Sequence, residues 1–428
     1  MIKHAITLIG LCISTHAWAL HTANITTVSH PDETNTCECH TTINDLGHAG
    51  VIWTFENDEE EEIVQVSMKK PGTKWSVREN ISNWGSCIDS PSILIDQGGV
   101  ASCCWETEEK SGTGYQYTRK YLDSDWETPS FSIAPDNSYY FEQSLHQDGT
   151  IFLVRHCYNK INIATFEPQK EPQFLVISCH RAQEASAAIP FGDSSIVAWI
   201  EKEDIQHQNL RIVCFENSKW SSPKSVQPLF PKAPGEYFFC WSVDGAFGVN
   251  QEGAFVMEIH GDTTHDVYVT THCQGLWSPI EPLNQEGQAE DPVICSDREE
   301  NVFIAYNLTL NNQSLLGMAF KRAGQQDFVA LEPLKIEGKN NKYLVQPDNQ
   351  GHFIIAWDSI YRKQAKVHGM QFSIETETFS KPALLSPKGK NCFDPSLCFN
   401  INGEGIIAWH QVPELFEINV QVADLIVD

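Results

Sequence analysis

Positive charge is scarce in this chain. Lysine and arginine together number 29 against 56 aspartates and glutamates in 428 residues, a formal net charge of −27. A polyanion is a poor ligand for such a surface, so nucleic acid is excluded as an expected partner. Long apolar runs are missing as well: no stretch approaches the roughly 18 consecutive apolar residues that a membrane-spanning helix needs. Sustained 3.6-residue periodicity is nowhere found, which argues against helix as the main element. No Gly/Ser-rich or Pro-rich linker interrupts the chain, and low complexity is confined to the run Glu59 to Glu62. A Gly-x-Ser-x-Gly elbow, a His-Glu-x-x-His pair and a phosphate-binding glycine loop are all absent, which removes the enzyme classes built on them.

The features present begin with an export signal. Lys3, the apolar run Ala5 to Ile13 and the small-x-small site Ala17, Trp18, Ala19 read as a secretory leader, residues 1–19, cleaved after Ala19. The expected destination is therefore periplasmic or extracellular. A lipid anchor at Cys12 is the alternative, although Leu11 stands where a lipoprotein signal carries a small residue. Without Lys3 the mature chain holds 28 basic against 56 acidic residues, 28 − 56 = −28. That charge chiefly keeps the surface dissociated, and it also favours cationic partners or metal ions.

Setting Cys12 aside leaves thirteen of the 14 cysteines, an odd number for an exported chain. Cys103, Cys104, Cys214, Cys295 and Cys398 sit in apolar, strand-like runs, where a free thiol acts as a small hydrophobe. Cys37, Cys39, Cys87, Cys179 and Cys392 lie in connections and are the candidates for bridges. Cys37, Glu38, Cys39 and His40 lack the second ligand pair that a zinc site requires, so neither metal nor cofactor is expected.

The chain is organised by a repeat, shown best by Asp348 to Trp357: a polar turn followed by an apolar run that ends on an aromatic. Counting six residues on from the turn, the copies are Gly47 to Trp53, Gly99 to Trp105, Asp193 to Trp199, Glu300 to Tyr306, Gly351 to Trp357 and Gly403 to Trp409. Gly149 to Arg155 and Gly253 to Ile259 fill the gaps with apolar residues but no closing aromatic. The spacing of about 44 to 60 residues is that of propeller blades rather than of helical solenoids. A second marker follows in seven units: Trp75, Trp126, Phe174, Trp220, Trp277, Phe328 and Phe379. In four of them serine comes next (Ser76, Ser221, Ser278, Ser380), three times with proline close behind, as suits an edge strand.

These motifs predict an all-β chain with four short strands per unit, exemplified by Lys342 to Gln346, Phe353 to Trp357, Lys366 to Ser373 and Phe379 to Leu385. The mature chain resembles a single β-propeller, similar in outline to sialidase-like and related blade families. Departures are plain: no Ser-x-Asp-x-Gly-x-x-Trp box occurs, the one glycine pair is Gly98 and Gly99, and Trp357 with Asp358 falls in the wrong strand for a WD40 blade. The repeat predicts about eight four-stranded blades, with seven as the alternative, near 37–84, 85–135, 136–180, 181–232, 233–287, 288–338, 339–389 and 390–428. The last unit runs out before its fourth strand, so the segment Ala23 to Ser29 is predicted to complete it and close the ring, which removes sheet edges that invite aggregation.

In such a ring, the loops entering the first strand and those joining the second to the third share one face around the channel mouth. Glu38, Glu184, Asp244, Asp291 and Asp394 stand nine residues before their turn residues, and Asp89 ten before its own. These six are the candidate binding residues. A ring of carboxylates suits a basic ligand or a cation, or two of them acting as acid and base on a glycoside. Asp before Pro (Asp291, Asp394) also caps its own turn, and a position repeated in every blade usually serves blade geometry. The second-to-third-strand loops vary, with Glu56 to Glu62, Glu201 to Asp204, His260 to Asp266 and Tyr361 to Lys363 the most distinctive. For sialidase chemistry Arg78, Arg119, Arg155 and Arg211 are available. The reading favoured is a monomeric, non-catalytic module for a protein or carbohydrate partner; the alternative is a glycosidase or lyase.

Overall fold

The computed structural model describes residues 20–427 except 30–34, 58, 110–111, 122, 134–139, 147, 158, 169, 171, 180–181, 192–193, 203–207, 230–237, 263, 285, 337–338, 362–363 and 413–417. Residues 1–19, read from the sequence as an export leader, lie outside the described residues. Eight antiparallel sheets, seven of them consecutive meanders of short strands and the eighth completed by the chain's first strand, form an eight-bladed β-propeller. Blade seven shows the plan: Lys339–Pro347, His352–Tyr361, Gln364–Ser373 and Thr378–Phe379, running from the channel outwards. Among the described residues no helix is long and apolar enough to cross a membrane.

The chain's two ends share blade eight. Leu20–Thr27 pairs antiparallel with Asn419–Val427, from Leu20 opposite Val427 to Thr27 opposite Gln421, and becomes the outermost strand beyond Gly405–Val412 and Asn391–Phe399. Beyond the pairing, Val28 donates its N–H to the Val420 carbonyl at 3.1 Å. Closing the ring this way joins residues about 400 apart, which is possible because each blade packs only on its neighbours and the last must meet the first.

Apolar runs flanked by blades on both faces explain the core. Each of the eight buried clusters joins two consecutive blades. The repeated aromatic of one blade packs on the blade before it. Trp105 lies with Ile52, Val64 and Val66 of blade one, Trp409 with Ile354, Ala356 and Val367 of blade seven, and Trp53 with Ala408, Val420 and Val422 of blade eight. All six aromatics are buried, so their role is packing. Blade three carries Arg155 at that position instead; its guanidinium lies 3.6 Å from Glu106 and 5.5 Å from the ring of Tyr115, both of blade two.

The outer edge differs from the simple fourth strand expected. In blade seven it is split into Thr378–Phe379 and Ala383–Leu384, both paired with Gln364–Ser373. The serine of each aromatic-Ser pair bridges the gap. Ser278 donates its N–H to the Thr271 carbonyl at 2.8 Å and accepts the Thr271 N–H on its hydroxyl at 2.9 Å; Ser76, Ser221 and Ser380 do the same with Met68, Cys214 and Gln371. A side chain thus supplies the acceptor where the edge strand turns away and where, after Ser221, Ser278 and Ser380, proline, lacking an N–H, follows.

The bridge candidates are corrected by burial. Cys392 is a free thiol buried within its blade, and Cys39 is buried with its Sγ donating to the Asp394 carbonyl at 3.8 Å; Cys103, Cys104, Cys214 and Cys295 are buried within blades as well. The side chains of Cys37 and Cys87 lie outside the described residues.

Candidate functional site

The innermost strand of each blade lines the channel, and most carry a β-bulge near their N-terminal ends. The bulge residue adopts left-handed backbone at Glu38 (φ 41°), Ser90 (49°), Asp291 (50°) and Asp394 (51°). Short polar side chains tolerate that conformation best, which gives one reason for acidic residues there. The turn that closes the hairpin with the second strand ends on the other face. Its fourth residue is again left-handed: Gly47, Gly99, Gly149, Gly403, and in blades five and six Gln251 and Glu300.

Gln251 corrects one alignment. Gly253 is not the turn residue of blade five but the first residue of Gly253–Gly261, where an added Cβ would meet the Ala246 carbonyl oxygen at 2.1 Å. Asp244 therefore does not sit at a bulge. It pairs opposite Val256, further along Phe238–Phe247, and the bulge of that strand is Trp241, between the pairs Cys240–Ile259 and Ser242–Glu258.

Of the remaining candidates, Glu38 bonds to the next blade through its carboxylate, while Asp291 and Asp394 are held from the preceding blade through their backbone N–H groups. Glu38 Oε2 accepts the Ser90 N–H at 2.7 Å, Asp358 Oδ2 the Asp394 N–H at 2.9 Å, and Glu258 Oε2 the Asp291 N–H at 3.0 Å. Each is a carboxylate of one blade holding the bulged backbone of the next. Asp291 Oδ2 accepts from Asn307 Nδ2 at 2.9 Å, and Asp394 Oδ2 lies 3.6 Å from His410 Nδ1. The backbone of Asp89 precedes the bulge at Ser90 and that of Glu184 lies in the irregular pairing between Ala182 and Ala185; both side chains lie outside the described residues.

Asp244 differs from them. It reaches water inside the channel but is walled by protein, and this desolvation pushes its carboxyl up from 3.8 to about 6, against the pull of the Gly245 N–H at 2.7 Å.

Residues the spacing did not single out gather at blade five. Trp241 is 51% exposed and stacks on His260, with ring centroids 5.3 Å apart and planes 6° from parallel. His260 in turn stacks on His265 at 4.0 Å and 6°, and Phe239 lies against both Trp241 and His260. His260 Nε2 donates to Glu258 and His265 Nδ1 to Glu290. The sequence offered two signals, the distinctive loop His260 to Asp266 and Trp241, ten residues before the true turn residue.

The opposite mouth holds a cavity of about 1280 Å³, lined by the first-to-second-strand turns and including Asp45, Gln97, His146, Asp148 and Arg298. None of the six candidate carboxylates lines it. The sialidase-type arginines serve separate places: Arg119 donates to the Gly149 and Phe166 carbonyls, Arg211 pairs with Glu201 at 2.6 Å, Arg155 is held by blade two, and Arg78 precedes the outer strand Glu79–Asn80. In the acidic loop, Asn57 caps the N–H groups of Glu59 and Glu61, and Glu62 takes the Ile88 N–H. Arg362, Lys363 and Asp204 lie outside the described residues. Among those described, no group of three or more His, Cys, Asp or Glu side chains is arranged to hold a metal ion.

No known family and no curated protein matches this sequence. Solved structures do resemble it. The WD40 domain of SCAP from fission yeast matches with a TM-score of 0.52 at 9% identity, over 94% of this chain and 98% of that one. A protein of unknown function from Dyadobacter fermentans matches at 0.47 and 8%, over 96% and 99%, and a PL25 ulvan lyase at 0.48 and 12%, over 76% and 90%. At such identities the likeness is one of fold alone.

Proposed function

We propose that this chain is a non-catalytic binding module that engages a protein or glycan partner on the face carrying the second-to-third-strand loops. The observation supporting it is the use of carboxylates as acceptors for the neighbouring blade's bulged backbone, from Glu38 on an innermost strand and from Asp358 and Glu258 on second strands. A glycosidase needs two carboxyls about 5 to 10 Å apart beside an open pocket, free to exchange protons. A carboxylate holding a buried backbone N–H is committed to a structural bond that it loses if it turns to substrate. The sialidase-like resemblance enters this reading as blade architecture, since the four arginines serve separate blades.

Export by the leader belongs to the same proposal: the mature N-terminus follows Ala19, and the protein is recovered outside the cytoplasm. Screening purified protein on glycan and peptide arrays, together with a panel of chromogenic glycosides and polyuronate substrates, tests it. Retention on an array without turnover supports a binding module. Turnover that is lost on replacing a bulge carboxylate overturns it in favour of an enzyme.

A further inference from the structure

Deepening that reading and resting on it, we propose that the Trp241 stack is the docking point for a basic peptide segment of a protein partner, with an arginine or lysine side chain laid over the indole. A half-exposed tryptophan on an innermost strand is unlike the six repeated aromatics of the second strands, all of which are buried between blades. At the bulges of blades one, six and eight, the chain carries Glu38, Asp291 and Asp394 instead. The tryptophan is also held rather than loose: His260 backs it, His265 backs His260, and Glu258 and Glu290 fix the two imidazoles. A ring fixed in one orientation loses little freedom on binding, the usual advantage of a preorganised site.

Charge decides the class of partner. The cluster is bounded by Glu258, Glu290 and Asp291, and Glu258 connects its histidines to the bulge of blade six through the Asp291 N–H. The bulge ring adds Glu38 and Asp394 on the same face, and the whole chain carries −27. The negative face of an indole attracts a cation, and the surrounding negative field steers it there. An anionic glycan would be repelled, and a neutral one would draw nothing from this field. Guanidinium suits the place best, being planar, weakly hydrated and able to stack on a ring while donating to a carboxylate.

The experiment uses the full mature chain and a fluorescein-labelled octa-arginine peptide, with octaglutamate and a neutral chitooligosaccharide as comparisons, read by fluorescence anisotropy at two salt concentrations. Four variants accompany the wild type: Trp241→Ala, Trp241→Phe, Glu290→Gln and, as a charge-matched control away from the cluster, Glu332→Gln. The expected result is peptide binding that weakens with salt, falls tenfold or more in Trp241→Ala, recovers most of that loss in Trp241→Phe, falls severalfold in Glu290→Gln and is unchanged in Glu332→Gln. Thermal melts of each variant establish that the fold is retained. Equal weakening in Glu290→Gln and Glu332→Gln with no effect of Trp241→Ala overturns the site, since only general attraction to an acidic protein remains. Trp241-dependent capture of the neutral sugar overturns the ligand class. An array ligand held equally well by wild type and Trp241→Ala sinks this inference but leaves the binding-module reading standing, whereas a wild type that holds neither peptide nor glycan removes both.

Discussion

Arg298 Nη2 reaches Asp45 Oδ2 at 3.2 Å, joining blade six to blade one with blades seven and eight between them. The pair crosses the mouth opposite the proposed binding face. Asp45 also accepts Gln97 Nε2 at 2.9 Å and the Ile401 N–H at 3.0 Å, so one carboxylate ties blades one, two, six and eight.

The two partners are unequal. Arg298 is about half exposed, and exposed ion pairs contribute about 1 kcal/mol or less. Arg298→Ala is expected to cost no more than that in urea unfolding. Asp45→Ala leaves a backbone N–H and an amide without their acceptor and should cost about 1–3 kcal/mol. Equal losses in the two variants would mean that the crossing itself, rather than Asp45, holds the mouth together.

Trp357 is buried with Phe353, Met370 and Phe372 of its own blade and Phe303 and Met318 of blade six. Trp357→Ala should therefore cost about 3–5 kcal/mol through the cavity it leaves. Trp241→Ala, which empties no core position, should cost far less in the same denaturant series. A similar penalty for both would contradict the assignment of Trp241 to the surface.

Ring closure rests on the first described strand. Leu20 packs in the core between blades seven and eight and Val28 in that between blades eight and one. A chain beginning at residue 30 should melt roughly 5 °C or more below one beginning at residue 20, because several kcal/mol of burial and a row of strand hydrogen bonds are removed. Calorimetry of the two forms checks this; coincident melts would show that the pairing contributes nothing to the ring.

Asp244 predicts a pH dependence. Its native carboxyl titrates near 6 rather than 3.8, so the folded state holds a proton that the unfolded chain has already lost between those values. Its contribution to stability is therefore present at low pH and is lost as pH rises through about 6. Asp244→Asn should raise the melting temperature at pH 7.5, and that gain should shrink as pH falls below about 5. A gain independent of pH would mean that the effect is one of shape rather than charge.

The blade count, the order of strands and the partnership of the chain's ends were legible in the sequence because they follow from local signals. A glycine or polar residue at a left-handed turn, an apolar run and a terminal aromatic recur at blade spacing, and Trp53, Trp105 and Trp409 pack as that pattern implies. The Ser76, Ser221, Ser278 and Ser380 phrase was visible too, although its hydroxyl-for-backbone exchange needed the third strand alongside it. Legibility failed where one residue mimicked another. Gly253 looks like a turn glycine but is one because of the Ala246 carbonyl beside it, and counting back from it misplaced Asp244 and passed over Trp241.

The sequence by itself determined the architecture, since hydrophobic period, turn chemistry and repeat length act over a few residues and are written in order along the chain. Tertiary structure alone decided which side chains meet. Trp241 joins His260 and His265 through a bulge in Phe238–Phe247 and the pairing of that strand with Gly253–Gly261, and Glu258 reaches Asp291 only because blades five and six pack face to face. A one-residue bulge reverses which face a side chain takes, and no local signal records the partner across a blade boundary.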